Sequence, residues 1–360
     1  MNRDQLQKLH GATLESYSKL SRSLGGRADY VQGGGGNTSV KFGEGMMAIK
    51  ASGYRLSDLR TDSAYAVLDG REIRRFFEEN EEKGFDDVEK AGSDFVKSHG
   101  VAIDGLPPLR PSVEAGFHSL LDRFVAHTHS VYANLAACTE QGQGLLGAAL
   151  ADASYTWGWV PYTDPGARLT FRIRDELARV ELVTGVRPAV IFLQNHGLIV
   201  HHDDPALCER IHADVNARVA TAFGLTGHSF PAIALRAVED GVFAGQTPYL
   251  RDALKSGRYD RSFFLEQPLY PDQMVFLVGT FDVGPGRPED GSCRADPKTG
   301  TVTYRMPEAS ARTVEETLTA VLFIAENAKR CGYTLSGMGE AAQRFIANWE
   351  SEKYRKSLGK

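Results

Sequence analysis

The sequence predicts an α/β fold, a three-layer α/β/α core in which helices cover a largely antiparallel sheet. Two observations lead there. Helical and strand-like segments alternate between residues 112 and 223 without forming a regular βαβ series, and three short strand-like runs follow one another between turns at 40–42, 46–51 and 64–68.

Leu6, Leu9, Leu14, Tyr17 and Leu20 recur at helical spacing and Gly25-Gly26 closes the pattern, which predicts a first helix over 3–24. A glycine-rich turn, Gly33-Gly34-Gly35-Gly36-Asn37-Thr38-Ser39, precedes the three strands. Charged residues crowd 71–90, where 78–83 reads as a solvated helix face or loop. Then come a helix at 112–121, a strand at 123–128, helices at 131–138 and 169–183, a strand at 189–194 and a helix at 205–223. After residue 230 the texture changes. A short helix, a strand at 274–279, a Gly/Pro-rich loop at 284–291 and long helices at 314–331 and 338–354 are expected there. This divides the chain into a domain over 1–230 and an α+β extension over 231–360.

At 360 residues, with 42% hydrophobic and 24% charged side chains, the composition is that of an ordinary soluble protein. A net charge of −5 offers nucleic acid or an anionic membrane no general attraction. No window approaches the roughly 20 apolar residues of a membrane span, and the polar start of the chain lacks the apolar stretch of a secretory signal. Cys138, Cys208, Cys293 and Cys331 lie far apart without a CxxC pair, which suits reduced thiols and a cytoplasmic protein.

The chemistry concentrates in two short runs, Val125-Ala-His127-Thr-His129-Ser130 and Leu193-Gln-Asn-His196-Gly197. Side chains alternate along an extended segment, so His127 and His129 share a side. Two strand ends of this kind can deliver three imidazoles to one metal. Three neutral imidazoles suit Zn²⁺, with another divalent metal as the alternative, and leave the fourth position open as in catalytic sites. Glu114 lies in the first turn of a helix just before the first run. It can serve as a ligand or as an acid/base group, or simply favour the helix dipole. The glycine run can bring backbone N–H groups close to an anion, with Asn37 and Ser39 as further donors and Lys50 as a nearby cation, or it is a plain tight turn. His118 reads as a packed residue beside the site, and His201 and His202 as solvent-facing at a strand end. His10, His99, His212 and His228 have no supporting context.

Taken together, Gly36-Asn37-Thr38-Ser39, Ser52-Gly53, Pro111-Ser112-Val113-Glu114, His127-Thr-His129 and Asn195-His196-Gly197 resemble the class II aldolase/adducin family, over roughly residues 5–225. The segments at 268–277 and 348–354 resemble the aldolase portion of bacterial fusions of a rhamnulose-1-phosphate aldolase with a short-chain dehydrogenase. The resemblance implies the α/β/α fold, a zinc ion held by His127, His129 and His196, and Glu114 as the acid/base residue. It also implies that Gly36, Asn37, Ser52, Gly53 and Ser112 bind a substrate phosphate, and that the protein is a homo-oligomer, with a tetramer favoured.

The implied reaction is cleavage of a deoxyketose 1-phosphate, of the rhamnulose or fuculose type, to dihydroxyacetone phosphate and lactaldehyde. The partner is a small phosphorylated sugar rather than a nucleic acid or a membrane. Val113 stands where relatives often have a second phosphate-binding serine, and Gly34 where some have a hydroxyl residue. Tyr155 and Tyr162 are the candidates for protonating the aldehyde. Two alternatives stay open: another sugar-phosphate reaction on the same scaffold (epimerase, dehydratase or decarboxylase), and a non-catalytic module like the adducin head.

Overall fold

The computed structural model describes residues 1–226 and 229–348. Asn2 starts the first helix, α1 (Arg3–Gly25): its side chain accepts from the Gln5 N–H while the Gln5 side chain accepts from the Asn2 N–H. Two donors that a helix start leaves open are thereby satisfied. Strands β1 (Asn37–Phe42), β2 (Met46–Lys50) and β3 (Tyr65–Asp69) follow, then helices α2 (Gly70–Glu79), α3 (Val88–Ser98) and α4 (Ala115–Leu120). Next in order are β4 (Phe124–Thr128), α5 (Val131–Ala137), α6 (Gly142–Ala149), β5 (Trp157–Val160), α7 (Ala167–Thr184), β6 (Val190–Leu193), β7 (Gly197–His202) and α8 (Pro205–Ala222). The remainder comprises β8 (Leu235–Glu239), β9 (Val242–Gly245), α9 (Pro248–Lys255), α10 (Arg261–Leu265), α11 (Pro271–Leu277), β10 (Phe281–Val283), β11 (Ser292–Ala295), β12 (Val302–Arg305), α12 (Glu308–Arg330) and α13 (Glu340–Asn348).

The chain divides into two units. The first takes Met1–Arg27, Gly36–Thr128 and Leu150–Val215, and the second Ala28–Gly35, His129–Ala149 and the chain from Asn216 onward. The first unit holds a seven-stranded sheet in the order β3-β2-β1-β4-β7-β6-β5, antiparallel throughout except for the β5–β6 pair. One sheet face packs Val125, Ile191 and Ile199 against Phe77, Phe117, Leu169 and Ile173 from α2, α4 and α7. On the other, the Tyr17 hydroxyl of α1 donates to the Thr38 carbonyl at 2.8 Å, and Cys208 of α8 is buried with its thiol directed at the Phe124 and Val200 carbonyls. This is the expected three-layer α/β/α arrangement. Within it β1 and β4 are in register with Asn37 opposite His127, and β4 and β7 with His127 opposite Ile199.

The second unit carries a five-stranded sheet, β10-β11-β12-β9-β8. Its other centre is α12, which is buried along most of its length and packs against α5, α9, α11 and β9.

Two expectations are corrected. Residues 274–277 belong to α11, not to a strand: Pro271 presets the first helical φ, and the Gln273 side chain holds the start by accepting from the Leu269 N–H and donating to the Phe264 carbonyl. A short apolar run has no period long enough to separate strand from helix. His201 lies inside β7, only 1% exposed, with Nδ1 2.8 Å from the Asp122 carboxylate rather than facing solvent. The second sheet, α3, α6 and β5 had no counterpart in the sequence reading. His228 and residues 349–354 of the expected last helix lie outside the described residues. Among the described residues no helix is long and apolar enough to cross a membrane.

Candidate metal centre and active site

His127 is the fourth residue of β4, a strand buried along its whole length between β1 and β7. Its Nδ1–H donates to the Leu198 carbonyl at 3.2 Å, which leaves Nε2 as the lone-pair nitrogen. His196 is set by the tight turn joining β6 to β7. There the His196 N–H donates to the Leu193 carbonyl at 3.1 Å and Asn195 adopts φ +51°. Asparagine is among the few residues with a side chain that tolerate this left-handed conformation. The His127 and His196 rings stand perpendicular, at 88°, with centroids 4.9 Å apart. His129, one step past the end of β4, completes the group: each of the three histidines offers a ring nitrogen, and these nitrogens lie within 4.8 Å of one another. All three are buried.

Glu114 stands at the N-cap of α4, yet its side chain makes no capping hydrogen bond. The carboxylate turns to the imidazoles instead, with Oε2 3.6 Å from His127 Nε2 and Oε1 3.5 Å from His196 Nε2. Asn37 Nδ2 donates to Oε2 at 2.6 Å, and Oε1 is buried with no hydrogen-bond partner. An unpaired carboxylate oxygen is costly to bury. The amide of Asn37 has only one workable orientation here, because a carboxylate accepts and cannot donate. Its Nδ2 also donates to Ser112 Oγ at 3.1 Å, and its Oδ1 accepts from His118 Nε2. His118 Nδ1 in turn pairs with Ser39 Oγ at 2.7 Å. Burial, followed by the charges of Lys41 and His127, holds the His118 pKa well below the ordinary imidazole value, so this ring stays neutral.

Of the remaining residues singled out from the sequence, Ser52 binds the segment just before Ser112. Its N–H donates to the Arg110 carbonyl and its hydroxyl to the Pro111 carbonyl, at 2.9 and 3.1 Å. Ser52 and Ser112 therefore lie on neighbouring stretches, and Asn37 reaches the second of them. Gly36 (φ +61°) and Gly53 (φ +89°) both use the left-handed region, and a Cβ at Gly36 would stand 2.6 Å from the His127 carbonyl oxygen. Lys50 is buried and donates to the Tyr54 carbonyl at 2.8 Å.

The first half of the glycine run is tied within the second unit. The Gly33 N–H donates to Glu316 at 2.9 Å and the Gly35 N–H to the Gln32 carbonyl at 3.0 Å. Tyr155 donates to Asp214 at 2.8 Å and Tyr162 to Asp164 at 3.4 Å. Burial pushes the Tyr162 phenol up.

One residue beside the histidines went unread in the sequence. Asp272, fully buried in the first turn of α11, accepts from His129 Nδ1 at 2.5 Å. The Pro271-Asp272 pair, a common opening for a helix, was the available signal.

The chain is similar to the N-terminal class II aldolase domain of a conserved protein from Thermoplasma acidophilum, at 22% identity and TM-score 0.48, covering 58% of this chain and 92% of that one. It is also similar to YgbL from Escherichia coli, a proposed aldolase/epimerase/decarboxylase, at 16% identity and TM-score 0.41, covering 64% and 95%. A third likeness is to L-fuculose-1-phosphate aldolase from Thermus thermophilus, at 12% identity and TM-score 0.35, covering 59% and 93%. No curated protein matches the chain. Residues 15–210, more than half of the chain and including Glu114, His127, His129 and His196, match the Class II Aldolase and Adducin N-terminal domain, so the protein belongs to the class II aldolase/adducin family.

Proposed function

We propose that this protein is a divalent-metal-dependent aldolase that splits a deoxyketose 1-phosphate, of the rhamnulose or fuculose type, into dihydroxyacetone phosphate and lactaldehyde. The observation that carries the reading is the buried Glu114 carboxylate, standing 3.5 and 3.6 Å from the Nε2 atoms of two imidazoles while one of its own oxygens lacks a hydrogen-bond partner. The donor set fits a metal. Three imidazoles suit Zn²⁺ and leave a position open, and a divalent ion would compensate the unpaired carboxylate oxygen. When bound, the ion supplies a Lewis acid for the negative charge left on the dihydroxyacetone phosphate fragment as the carbon–carbon bond breaks.

The rest of the work falls to the chain. Cleavage moves one proton overall: the hydroxyl that becomes the lactaldehyde carbonyl gives one up, and Glu114 delivers one to the carbon that keeps the bonding electrons, both steps reversing in the synthetic direction. Asn37 holds that carboxylate in place through Oε2. Gly36, Asn37, Ser52, Gly53 and Ser112 bind the phosphate, so that the reacting carbons stay beside Glu114. Residues 1–230 form the catalytic domain on this reading and 231–360 an accessory extension, in a cytoplasmic homotetramer. The four cysteines, none of them in a disulfide, suit a reducing compartment.

A second reaction on the same scaffold, an epimerase, dehydratase or decarboxylase acting on a sugar phosphate, draws on Val113 in place of a hydroxyl donor and on the Gly33 N–H already being taken by Glu316. A panel of ketose 1-phosphates, with released dihydroxyacetone phosphate as the readout and a chelator control, separates the two. Dihydroxyacetone phosphate release that is lost with chelator supports the aldolase. Conversion of the sugar without that product supports the second reading, and release that survives complete metal removal overturns the metal scheme. Glu114→Gln should retain metal and lose about 10²- to 10⁴-fold in turnover. Loss of metal in that variant would make Glu114 a ligand instead.

A further inference from the structure

The three histidines are not held alike. His127 gives its Nδ1–H to a neutral backbone carbonyl, whereas His129 gives its own to the carboxylate of Asp272 at 2.5 Å. That carboxylate lies 143 positions further along the chain and outside the family-matched residues 15–210.

The pair is built rather than incidental. Asp272 is fully buried, His129 is 3% exposed, and the Tyr270 ring stands edge-on to the His129 ring with centroids 6.5 Å apart. Gln273, the next residue, locks the start of α11 through both ends of its amide. Gly35 closes the remaining side. A Cβ there would stand 2.2 Å from Asp272 Oδ2 and 2.9 Å from His129 Nδ1, so any side chain would push the hydrogen-bonded pair apart. A buried carboxylate is costly unless it is paired, and this one is aimed at an imidazole nitrogen.

We propose that Asp272 is the positioning residue for His129. Its carboxylate fixes the proton on Nδ1, orients the ring and strengthens Nε2 as a metal ligand, so that a segment outside the family domain sets the metal affinity of the site. Partners of this type govern ligand basicity and ring orientation, and their loss costs about 10- to 100-fold in affinity. The proposal rests on the metal-binding part of the reading above and not on the identity of the substrate.

The test is zinc affinity of the full chain, measured by competition with a chromophoric chelator, together with the visible spectrum of the cobalt-substituted protein. Asp272→Ala should weaken zinc binding about 10- to 100-fold and alter the cobalt spectrum. Asp272→Asn, whose amide oxygen still accepts from Nδ1–H, should fall between wild type and the alanine variant. If the alanine variant does not fold by far-ultraviolet circular dichroism, the asparagine variant alone decides. A carboxylate that only packed the interior would shift the thermal midpoint of the metal-free protein and leave zinc affinity and the cobalt spectrum unchanged, which would overturn the proposal. Absence of zinc binding in wild type would overturn it together with the metal reading. Zinc binding in wild type without aldolase activity would remove only the substrate assignment, and the variants would still decide this one.

Discussion

One amide, Asn37, fixes how the Glu114 carboxylate is presented. It donates to Glu114 and Ser112 and accepts from a His118 ring that burial keeps neutral. At this scale much of the site was legible. His127, His129 and His196 stood out because a His-x-His run and a second histidine at a strand turn can bring imidazoles together, as the structure does, and Glu114 because it precedes them closely. His118 was recognisable only as a packed neighbour, since nothing in its spacing reveals that it grips Asn37 and Ser39. Another fully buried imidazole, His212, pairs with the Thr128 hydroxyl at 2.8 Å, and burial lowers its pKa to about 3. In the unfolded chain the value returns to about 6.5. Between those two pH values the unfolded state binds the extra proton, so this group's contribution to stability is complete above pH 6.5 and is lost as pH falls toward 3. The slope is at most about 1.4 kcal/mol per pH unit. Urea titrations of wild type and His212→Gln at pH 6.5 and pH 4.5 should show wild type losing more stability across the interval. Equal losses would place the proton elsewhere.

Elements bring these residues together through register. Asn37 opposes His127 across β1 and β4, so a slip of one residue would turn Asn37 and Ser39 to the face that α1 and α8 cover. Gly36 immediately precedes β1 and sits against the backbone of β4, where a side chain would press on the strand pairing. Gly36→Ala must carry a methyl into the left-handed region, at roughly 1–2 kcal/mol, and also push on the His127 carbonyl oxygen 2.6 Å away. A total loss of about 2–4 kcal/mol with weakened metal binding is expected, as read by chemical denaturation and chelator competition. Unchanged zinc affinity in a destabilised variant would separate register from the metal site. The long amphipathic helices were readable because their apolar periods run long, and the strands around the site because turn signals and the histidine motifs mark their ends. Strands β8–β12 were not. They are three to five residues each, and β8 exposes four of its five. Even α1 departs from its pattern at Leu9, which is 66% exposed.

Across the whole molecule, local motifs revealed the α/β/α layers and the histidines, while Asp272 stayed hidden because its partner is so remote in sequence. The turn bearing His196 adds a kinetic consequence. A hairpin such as β6–β7 closes on the microsecond scale, but β4 must find β7 across a span reflected in the 71 positions between His127 and Leu198. Loop closure over that span favours docking of β4 after the hairpin, so an ion held by the three imidazoles is expected to stabilise the folded state more than the barrier to it. Zinc should lengthen the unfolding half-life in denaturant many-fold and change the refolding rate by less than about twofold. Stopped-flow refolding accelerated by the ion would mean that the imidazoles already converge at the barrier top. Without that acceleration, an ion held there would be a latch on a finished protein, the chain having found its shape unaided.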